Sequence, residues 1–166
     1  IYFISDTHFG HANIVKMCER PYPDVEAMNE ALITAWNERV HGDDTVYIIG
    51  DMFFRCSDPE FILKRLKGKK WLIVGNHDGS WMDKVDLNHY FVSVDNYLET
   101  TDGVHGMTIC HYPLLAWKNA GRTYMVHGHI HADTNSDYWQ LIQRRERVLN
   151  AGVDVNDYRP VTFEEM

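Results

Sequence analysis

Five short apolar runs in this chain each lead into a residue that can bind a metal or carry a proton, and this pattern constrains the fold more than any other feature. The polar segments that follow the runs are Asp6-Thr7-His8, Gly50-Asp51, Gly75-Asn76-His77-Asp78, His111-Tyr112-Pro113 and His127-Gly128-His129-Ile130-His131. In an α/β sheet, the loops at the C-terminal ends of the strands face one crevice, and ligands bind there. We therefore expect the five segments to meet at one site.

The N-terminal half alternates buried strands with amphipathic helices. The apolar runs and the helical period of apolar residues predict strands at 1–4, 45–50 and 71–75 and helices at 25–40 and 58–67. Asp58 followed by Pro59 is a typical helix start, and Gly68 is a typical helix stop. Because strands and helices alternate, we expect right-handed crossovers and a parallel sheet.

The C-terminal half has shorter links between its apolar runs. The predicted strands are 91–94, 97–100, 107–111 and 123–129, with a final strand and loop at 148–155. Asn96 is a turn signal between the first two of them. The stretch 138–149 fits either a helix or a strand. Thr162 and Glu165 have the spacing of a capping box, which predicts that a last helix begins there. Residues 1–166 are expected to form a single domain.

Charge and cysteine usage narrow the possible partners and location. The net charge of −8 argues against stable binding of duplex nucleic acid, which needs a basic face. Cys18, Cys56 and Cys110 contain no CxxC pair and are expected to be free thiols, which favours the cytoplasm. No apolar run approaches the roughly 20 residues of a membrane span, and no signal peptide is visible. The sequence begins at Ile1 rather than Met, and we expect it to be shortened at both ends.

Each polar segment is a weak signal when it is taken alone. An Asp-x-His step also occurs where an Asp caps a turn beside a surface His, and Gly-Asp is usually a turn. Asn-His-Asp can be a polar loop, and Gly-His-x-His can be a solvated histidine-rich loop. The five segments together are hard to explain by turns and caps, because each follows a different strand and each carries nitrogen or oxygen donors. Their conjunction predicts a metal site.

The order DxH, GD, GNH[DE], H, GHxH resembles the calcineurin-like metallophosphoesterase superfamily, and every block is present between residue 1 and about residue 131. The opening SDTHFGHANI is similar to a small single-domain branch of that superfamily. The resemblance implies an α/β fold in the form of a four-layer α/β/β/α sandwich. In that fold two mixed β-sheets lie face to face, with helices outside and the metals at one edge. The resemblance also implies hydrolysis of a phosphomonoester or a phosphodiester.

The resemblance further implies a set of metal ligands. The set is Asp6, His8 and His131 for a first divalent metal ion, Asn76, His111 and His129 for a second, and Asp51 as the bridge between them. Nitrogen and oxygen donors without thiolate suit Mn²⁺, which we expect first, and also Fe, Zn²⁺ or Ni²⁺. A water shared by the two metals would lose a proton near neutral pH, and the resulting hydroxide would attack phosphorus in line.

Histidines near the ligands are candidates for contact with the substrate. The resemblance makes His77 the residue that stabilises the transition state or protonates the leaving oxygen. The alternative is that His77 only positions Asn76. His11 is a candidate for contact with the substrate or its leaving group, whereas His127 is expected to pack beneath the site.

Arg55 is a second candidate for substrate binding. It follows Asp51 at the spacing of the arginine in the GDxVDRG motif of protein serine/threonine phosphatases, where that arginine contacts phosphate. The stretch in this chain is GDMFFRC, so Phe54 replaces the second Asp of the motif. This departure makes protein phosphatase activity less expected. The alternative for Arg55 is a surface position on a loop.

Two other functions stay open. A metal-dependent nuclease would use the same chemistry, but the acidic net charge and the lack of a Lys/Arg cluster near the motifs argue against it. The only basic run, 64–70, is expected to be a solvated helix end. A catalytically silent binding module with the same fold would be expected to lose ligands, whereas the whole ligand set and His77 are present. The expected partner is therefore a small phosphorylated substrate.

Overall fold

The computed structural model describes residues 1–166, and its first sheet is built from parallel strands. They are β1 (Tyr2–Ile4), β2 (Thr45–Ile49), β3 (Lys69–Ile73) and β4 (Phe91–Asp95), in the order β1-β2-β3-β4. Phe3 and Val161 add an antiparallel bridge beside β1, with backbone hydrogen bonds of 2.8 and 3.0 Å. The parallel order confirms what the alternation of strands and helices predicts.

The second sheet is mixed. It contains β5 (Leu98–Thr101), β6 (Gly106–Ile109), β7 (Tyr124–His127) and β8 (Val148–Asn150), in the order β5-β6-β7-β8. β5 is antiparallel to β6, and the other pairs are parallel. The turn predicted at Asn96 carries the chain from the first sheet to the second, because β4 and β5 lie in different sheets.

Side chains alternate along the strands of the first sheet and divide the core into two layers. One face packs on helices, and its layer includes Ile4, Ile48 and Leu72 together with Met28, Leu32, Trp36, Ile62 and Leu63. The other face packs on the second sheet, and its layer consists of Phe3, Tyr47, Ile49, Ile73, Met107, Ile109, Val126 and Ala151. The two sheets therefore lie face to face with helices outside the first, and the predicted fold class is confirmed.

The structure has six helices, whereas the sequence predicts only two of them, at 25–40 and 58–67, and leaves 138–149 open. They are α1 (Ile14–Met17), α2 (Val25–Arg39), α3 (Pro59–Leu63), α4 (Gly79–Met82), α5 (Leu87–Tyr90) and α6 (Asp137–Ile142). Asp58 caps α3 by accepting a hydrogen bond from the backbone N–H of Phe61 at 3.0 Å. The expected end of α3 near Lys67 is wrong, because the chain tightens into turns after Leu63 and reaches Gly68 with a φ of +90°.

The ambiguous stretch 138–149 contains both kinds of element, since α6 precedes β8. The capping box at Thr162 and Glu165 is present, and it begins a short 3₁₀ turn, Phe163–Glu165. None of the helices combines the length and the apolar character needed to cross a lipid bilayer.

Candidate metal centre

The five polar segments meet where the C-terminal ends of the two sheets come together. Asp6, after β1, accepts a hydrogen bond through Oδ2 from the backbone N–H of His129, after β7, at 2.9 Å. The side-chain oxygen of Asn76, after β3, lies 3.0 Å from Nε2 of His111, after β6. Both contacts join a loop of the first sheet to a loop of the second, so the site lies between the two sheets at one edge.

Asp6, His8 and His131 form the first cluster of ligand atoms. Their ligand atoms lie within 4.8 Å of one another, and the rings of His8 and His131 stack at 5.2 Å. Asp6 and His8 are buried, yet Oδ1 of Asp6 and both ring nitrogens of His8 have no hydrogen-bond partner. Burial lowers the pKa of His8 to about 3, so this ring is neutral at pH 7. Buried polar atoms without partners are costly, and these lone pairs fit a bound divalent cation.

Asp51, His111 and His129 form the second cluster, again with ligand atoms within 4.8 Å, and Asn76 adjoins it. Nδ1 of His111 donates to the carbonyl oxygen of Ile49 at 2.8 Å. In the neutral ring, that hydrogen bond leaves the lone pair on Nε2, which faces Asn76 and Asp51. Burial lowers the pKa of His129, which favours the neutral, ligating form of its ring.

Asp51 lies between the two clusters. Its Oδ2 is 3.5 Å from Nε2 of His111 and 3.7 Å from Nε2 of His8, so one oxygen faces a nitrogen of each cluster. Its Oδ1 accepts a hydrogen bond from the backbone N–H of His77 at 2.8 Å. Burial acts to raise the pKa of Asp51, but His111 and the backbone N–H of His77 outweigh it and bring the value to about 2. The carboxylate is therefore ionised.

The backbone at the ligands adopts an unfavourable conformation. Left-handed φ angles occur at Asp6 (57°), His8 (51°), Asp51 (51°), His129 (71°) and His131 (48°). Each such residue costs on the order of 1 kcal/mol, and strain of this kind clusters at functional sites. The loops also need close backbone approach, because a Cβ at Gly50 would lie 2.7 Å from the Cα of Gly75.

His77, His11, Phe54 and Arg55 form the rim of the site. The His77 side chain is 40% exposed, and its Nε2 lies 4.0 Å from Oδ2 of Asp51. The Phe54 ring contacts the rings of both His11 and His77, at 4.2 and 4.9 Å between centroids. The guanidinium of Arg55 is exposed and lies 5.3 Å from the Phe54 ring centroid. The structure thus brings all three predicted substrate contacts together and adds Phe54.

Arg20 and Asp154 support the first cluster, and the sequence reasoning missed both. Asp154 lies 2.6 Å from Nδ1 of His131 and accepts two hydrogen bonds from Arg20, at 2.8 and 2.9 Å. Arg20 also donates to the backbone oxygens of Asp6 and Thr7. Asp154 follows the last strand, so the rule that ligand-binding residues follow the C-terminal ends of strands (the strand-end rule) could have found it. No signal in the sequence identifies Arg20.

Asp78 joins the loops after β2 and β3. It accepts hydrogen bonds from the backbone N–H groups of Asp51, Met52 and Gly75 and from the indole of Trp81, at 2.7–2.9 Å. Burial raises the pKa of Asp78, while these donors favour its carboxylate form. Asp78 therefore holds the loop that carries Asp51 in place and does not contact the His77 ring.

His127 is buried beneath the site, as predicted. Its Nδ1 lies 2.8 Å from the carbonyl oxygen of Gly128, and burial lowers its pKa to about 4. The ring is therefore neutral and packs within the protein.

Comparisons with known proteins found a matching family model, a similar relative and similar solved structures. The family model described as calcineurin-like phosphoesterase matches residues 1–160. An uncharacterized protein of Methanocaldococcus jannaschii is 34% identical over 174 residues, which cover 99% of this chain and 87% of the relative. A solved structure of a protein of unknown function from Aquifex aeolicus has a TM-score of 0.77 and 27% identity, covering 99% of this chain and 95% of that chain. The nuclease MPE of Pseudomonas putida has a TM-score of 0.50 and 22% identity over 78% of this chain and 59% of its own, which shows a common fold alone.

Proposed function

Because this chain belongs to the calcineurin-like phosphoesterase family, we propose that it is a two-metal phosphoesterase that hydrolyses a small phosphomonoester or phosphodiester. The observation that carries the proposal is the pairing of two clusters of ligand atoms across Oδ2 of Asp51. A carboxylate between two cations offsets their repulsion at the roughly 3.5–4 Å separation of two-metal sites. The unpartnered lone pairs of Asp6 and His8 support the same proposal.

Each ligand has a place in this proposal. The first cation would be held by Asp6, His8 and His131, the second by Asn76, His111 and His129, and both by Asp51. These nitrogen and oxygen donors suit Mn²⁺, and also Fe, Zn²⁺ or Ni²⁺. When bound, two such cations lower the pKa of a shared water and neutralise charge on the phosphoryl oxygens.

The rim residues would act on the substrate. The backbone N–H of His77 is fixed on Asp51, so its ring is held over the site while remaining open to solvent. We assign His77 to donating a proton to the leaving oxygen. His11 and Arg55 would contact the leaving group and the phosphate, and the Phe54 ring would keep the imidazoles of His11 and His77 in place through its contacts with both.

Two other functions remain as competing hypotheses. The Pseudomonas putida protein with this fold is a nuclease, which favours a nuclease as the second candidate. The net charge of −8 argues against it, since nucleic-acid binding relies on basic residues that displace counterions. A silent binding module is the third, and it has no need of the buried lone pairs at Asp6 and His8.

Metal content measured together with turnover tests the proposal. The protein is stripped with a chelator, reloaded with Mn²⁺ and analysed for bound metal, and then assayed with nitrophenyl phosphate and bis(nitrophenyl) phosphate. We expect about two metal ions per chain and hydrolysis of at least one ester. Two metals without turnover of either ester would point to a narrow natural substrate. Absence of both bound metal and turnover would favour the binding module, and preferential cleavage of single-stranded DNA would favour the nuclease.

Two variants separate metal binding from proton transfer. Asp51→Asn is expected to reduce metal loading, whereas His77→Ala should keep the metals and lower kcat by about 10²–10⁴-fold. His41→Ala, at an exposed histidine, serves as the control for removal of an imidazole. Loss of the metals in His77→Ala would contradict the role assigned to His77.

A further inference from the structure

A cleft of about 480 Å³ adjoins the metal centre on the side of His129 and His131. Its other walls come from the end of α1, from the loop after His131 and from α6, and it is lined by Met17, Cys18, Glu19, Ile130, Ala132, Asp133, Asn135 and Tyr138. Small-molecule sites usually measure about 300–1,000 Å³. The cleft shares no residue with the rim formed by His11, Phe54, Arg55 and His77. Two separate regions thus adjoin the same set of ligand atoms.

Apolar side chains on this cleft are exposed. Met17 and Tyr138 are 72% and 43% exposed, although both are large hydrophobic residues. Ile130 and Ala132 extend the apolar lining. A concave apolar surface with a few polar groups beside a reactive centre is typical of a binding site for an organic group.

Apart from the imidazoles of His129 and His131, the charged side chains that line the cleft are acidic. Glu19 and Asp133 line it, no lysine or arginine does, and neither carboxylate takes part in an ion pair. Arg20, the residue after Glu19, donates its hydrogen bonds to Asp154 and to backbone oxygens. Asp133 is an exposed carboxylate that accepts hydrogen bonds from the backbone N–H of Asn135 at 2.8 Å and from the Tyr138 hydroxyl at 3.0 Å. Additional anionic groups would be repelled here.

We propose that the substrate is a phosphodiester whose retained organic group binds in this cleft, and that Glu19 and Asp133 select a neutral or cationic group there. This inference rests on the proposed phosphoesterase function. A monoester carries one organic group, whereas the cleft and the rim offer places for two. The leaving group would lie at the rim, near His77, and the retained group would lie between Met17 and Tyr138.

Three diesters that release the same nitrophenol test the charge preference. Their retained groups are choline, thymidine and hydroxypropionate, which are cationic, neutral and anionic. The repulsion between a carboxylate and an exposed like charge at about 4 Å changes a binding constant by roughly five-fold. We therefore expect kcat/KM to fall by about that factor or more at each step from cation to anion. The double variant Glu19→Gln, Asp133→Asn should flatten this order. Glu38→Gln, Asp83→Asn is the matched control, because both residues are exposed and neither lines the cleft.

A binding measurement on metal-free protein gives a readout that does not depend on turnover. The methyl resonance of Met17 is followed by NMR during titration with choline and, separately, with propionate. We expect choline to shift this resonance and propionate to leave it unchanged, and we expect Tyr138→Ala to weaken the choline effect. Equal responses to the two ions would overturn the proposed selectivity.

The outcomes distinguish this inference from the proposed function. Hydrolysis of nitrophenyl phosphate with no hydrolysis of any diester would overturn the inference and leave the phosphoesterase function standing. An unchanged charge order in Glu19→Gln, Asp133→Asn would overturn the role of the cleft. Absence of bound metal and of all turnover would overturn the proposed function, and the inference with it.

Discussion

Replacing Arg20 with methionine tests the buried network behind the first cluster. The Arg20 and Asp154 side chains are 0% and 1% exposed, and their ion pair has two hydrogen bonds of 2.8 and 2.9 Å. The same guanidinium donates to the backbone oxygen of Asp6 at 2.7 Å and to that of Thr7 at 2.9 Å. Methionine fills most of the volume of the arginine stem but leaves the Asp154 carboxylate and two buried oxygens without these donors.

The structure sets the size of two effects. Removal of one partner of a buried ion pair costs about 3–5 kcal/mol, since the remaining charge stays buried without that partner. Asp154 also orients His131 through Nδ1 at 2.6 Å, and loss of such an outer contact typically weakens metal affinity by about 10–100-fold. We therefore expect Arg20→Met to lower both the free energy of unfolding and the affinity for Mn²⁺.

Urea unfolding of the metal-free protein measures the first effect, and competition with a chelator measures the second. Arg39→Met is the matched control, because the Arg39 and Glu165 side chains are 23% and 34% exposed. An exposed pair of this kind is worth about 0–1 kcal/mol, and it lies outside the ligand clusters. If Arg20→Met costs no more than Arg39→Met and keeps its Mn²⁺ affinity, the reasoning about the buried network is refuted.

Three further predictions concern the loops and the protein's response to acid. Gly75→Ala should lower the Mn²⁺ affinity and the free energy of unfolding, because its Cβ would overlap the backbone N of Asp51. Gly79→Ala, with open space around it in α4, should lower neither quantity, and chelator competition and urea unfolding compare the two variants. Asp78→Asn should lower the free energy of unfolding, measured in urea, by at least about 2 kcal/mol. Each carboxylate oxygen of Asp78 accepts two hydrogen bonds, and an amide NH₂ cannot accept them. A cost no larger than that of an ordinary surface substitution would contradict this role of Asp78. Burial acts to raise the pKa of Asp102, but hydrogen bonds from His105 outweigh it and bring the value to about 2. The contribution of Asp102 to stability is therefore complete above the ordinary value of 3.8 and is lost as the pH falls through about 2. The difference in unfolding free energy between the wild type and Asp102→Asn should shrink in acid, and a constant difference between pH 7 and pH 2 would contradict the shift.

The parts of the fold that follow from local pattern could be predicted from the sequence. The apolar runs at 45–50 and 71–75 became β2 and β3, and the helical period at 25–40 became α2, because burial of one face dictates both patterns. The four-residue helices α4 and α5 are too short to show a helical period of apolar residues, so no sequence pattern predicts them. The sheet to which β5 belongs depends on contacts distant in sequence, and the turn at Asn96 is compatible with either sheet.

The sequence predicted the residues of the candidate site to about the same extent as it predicted the fold. The strand-end rule brought Asp6, Asp51 and the histidines to one place, because the C-terminal ends of parallel strands share an edge. Arg20 lies between two helices, far from any strand end, and its function follows from burial against Asp154. Asp78 was adjacent to a motif, but its hydrogen bonds to the β2 loop depend on the spacing of β2 and β3 in the folded sheet.

The strained ligands show how the loops are held in position. Asp6 and His8 are separated by one residue, as are His129 and His131, and all four have left-handed φ angles. On an extended strand, residues i and i+2 share one face but stand well apart, so a tighter path is needed to bring their ligand atoms to one cation. Backbone hydrogen bonds hold the first pair in this path, from Asp6 N–H to Gly50 at 3.1 Å and from His8 N–H to Asp51 at 3.0 Å. Because these hydrogen bonds join residues of the chain itself, the fold offsets the backbone strain. A metal ion that binds there does not first have to order the loops. It adds a stabilisation of RT ln(1 + [L]/Kd), where [L] is the free metal concentration and Kd its dissociation constant.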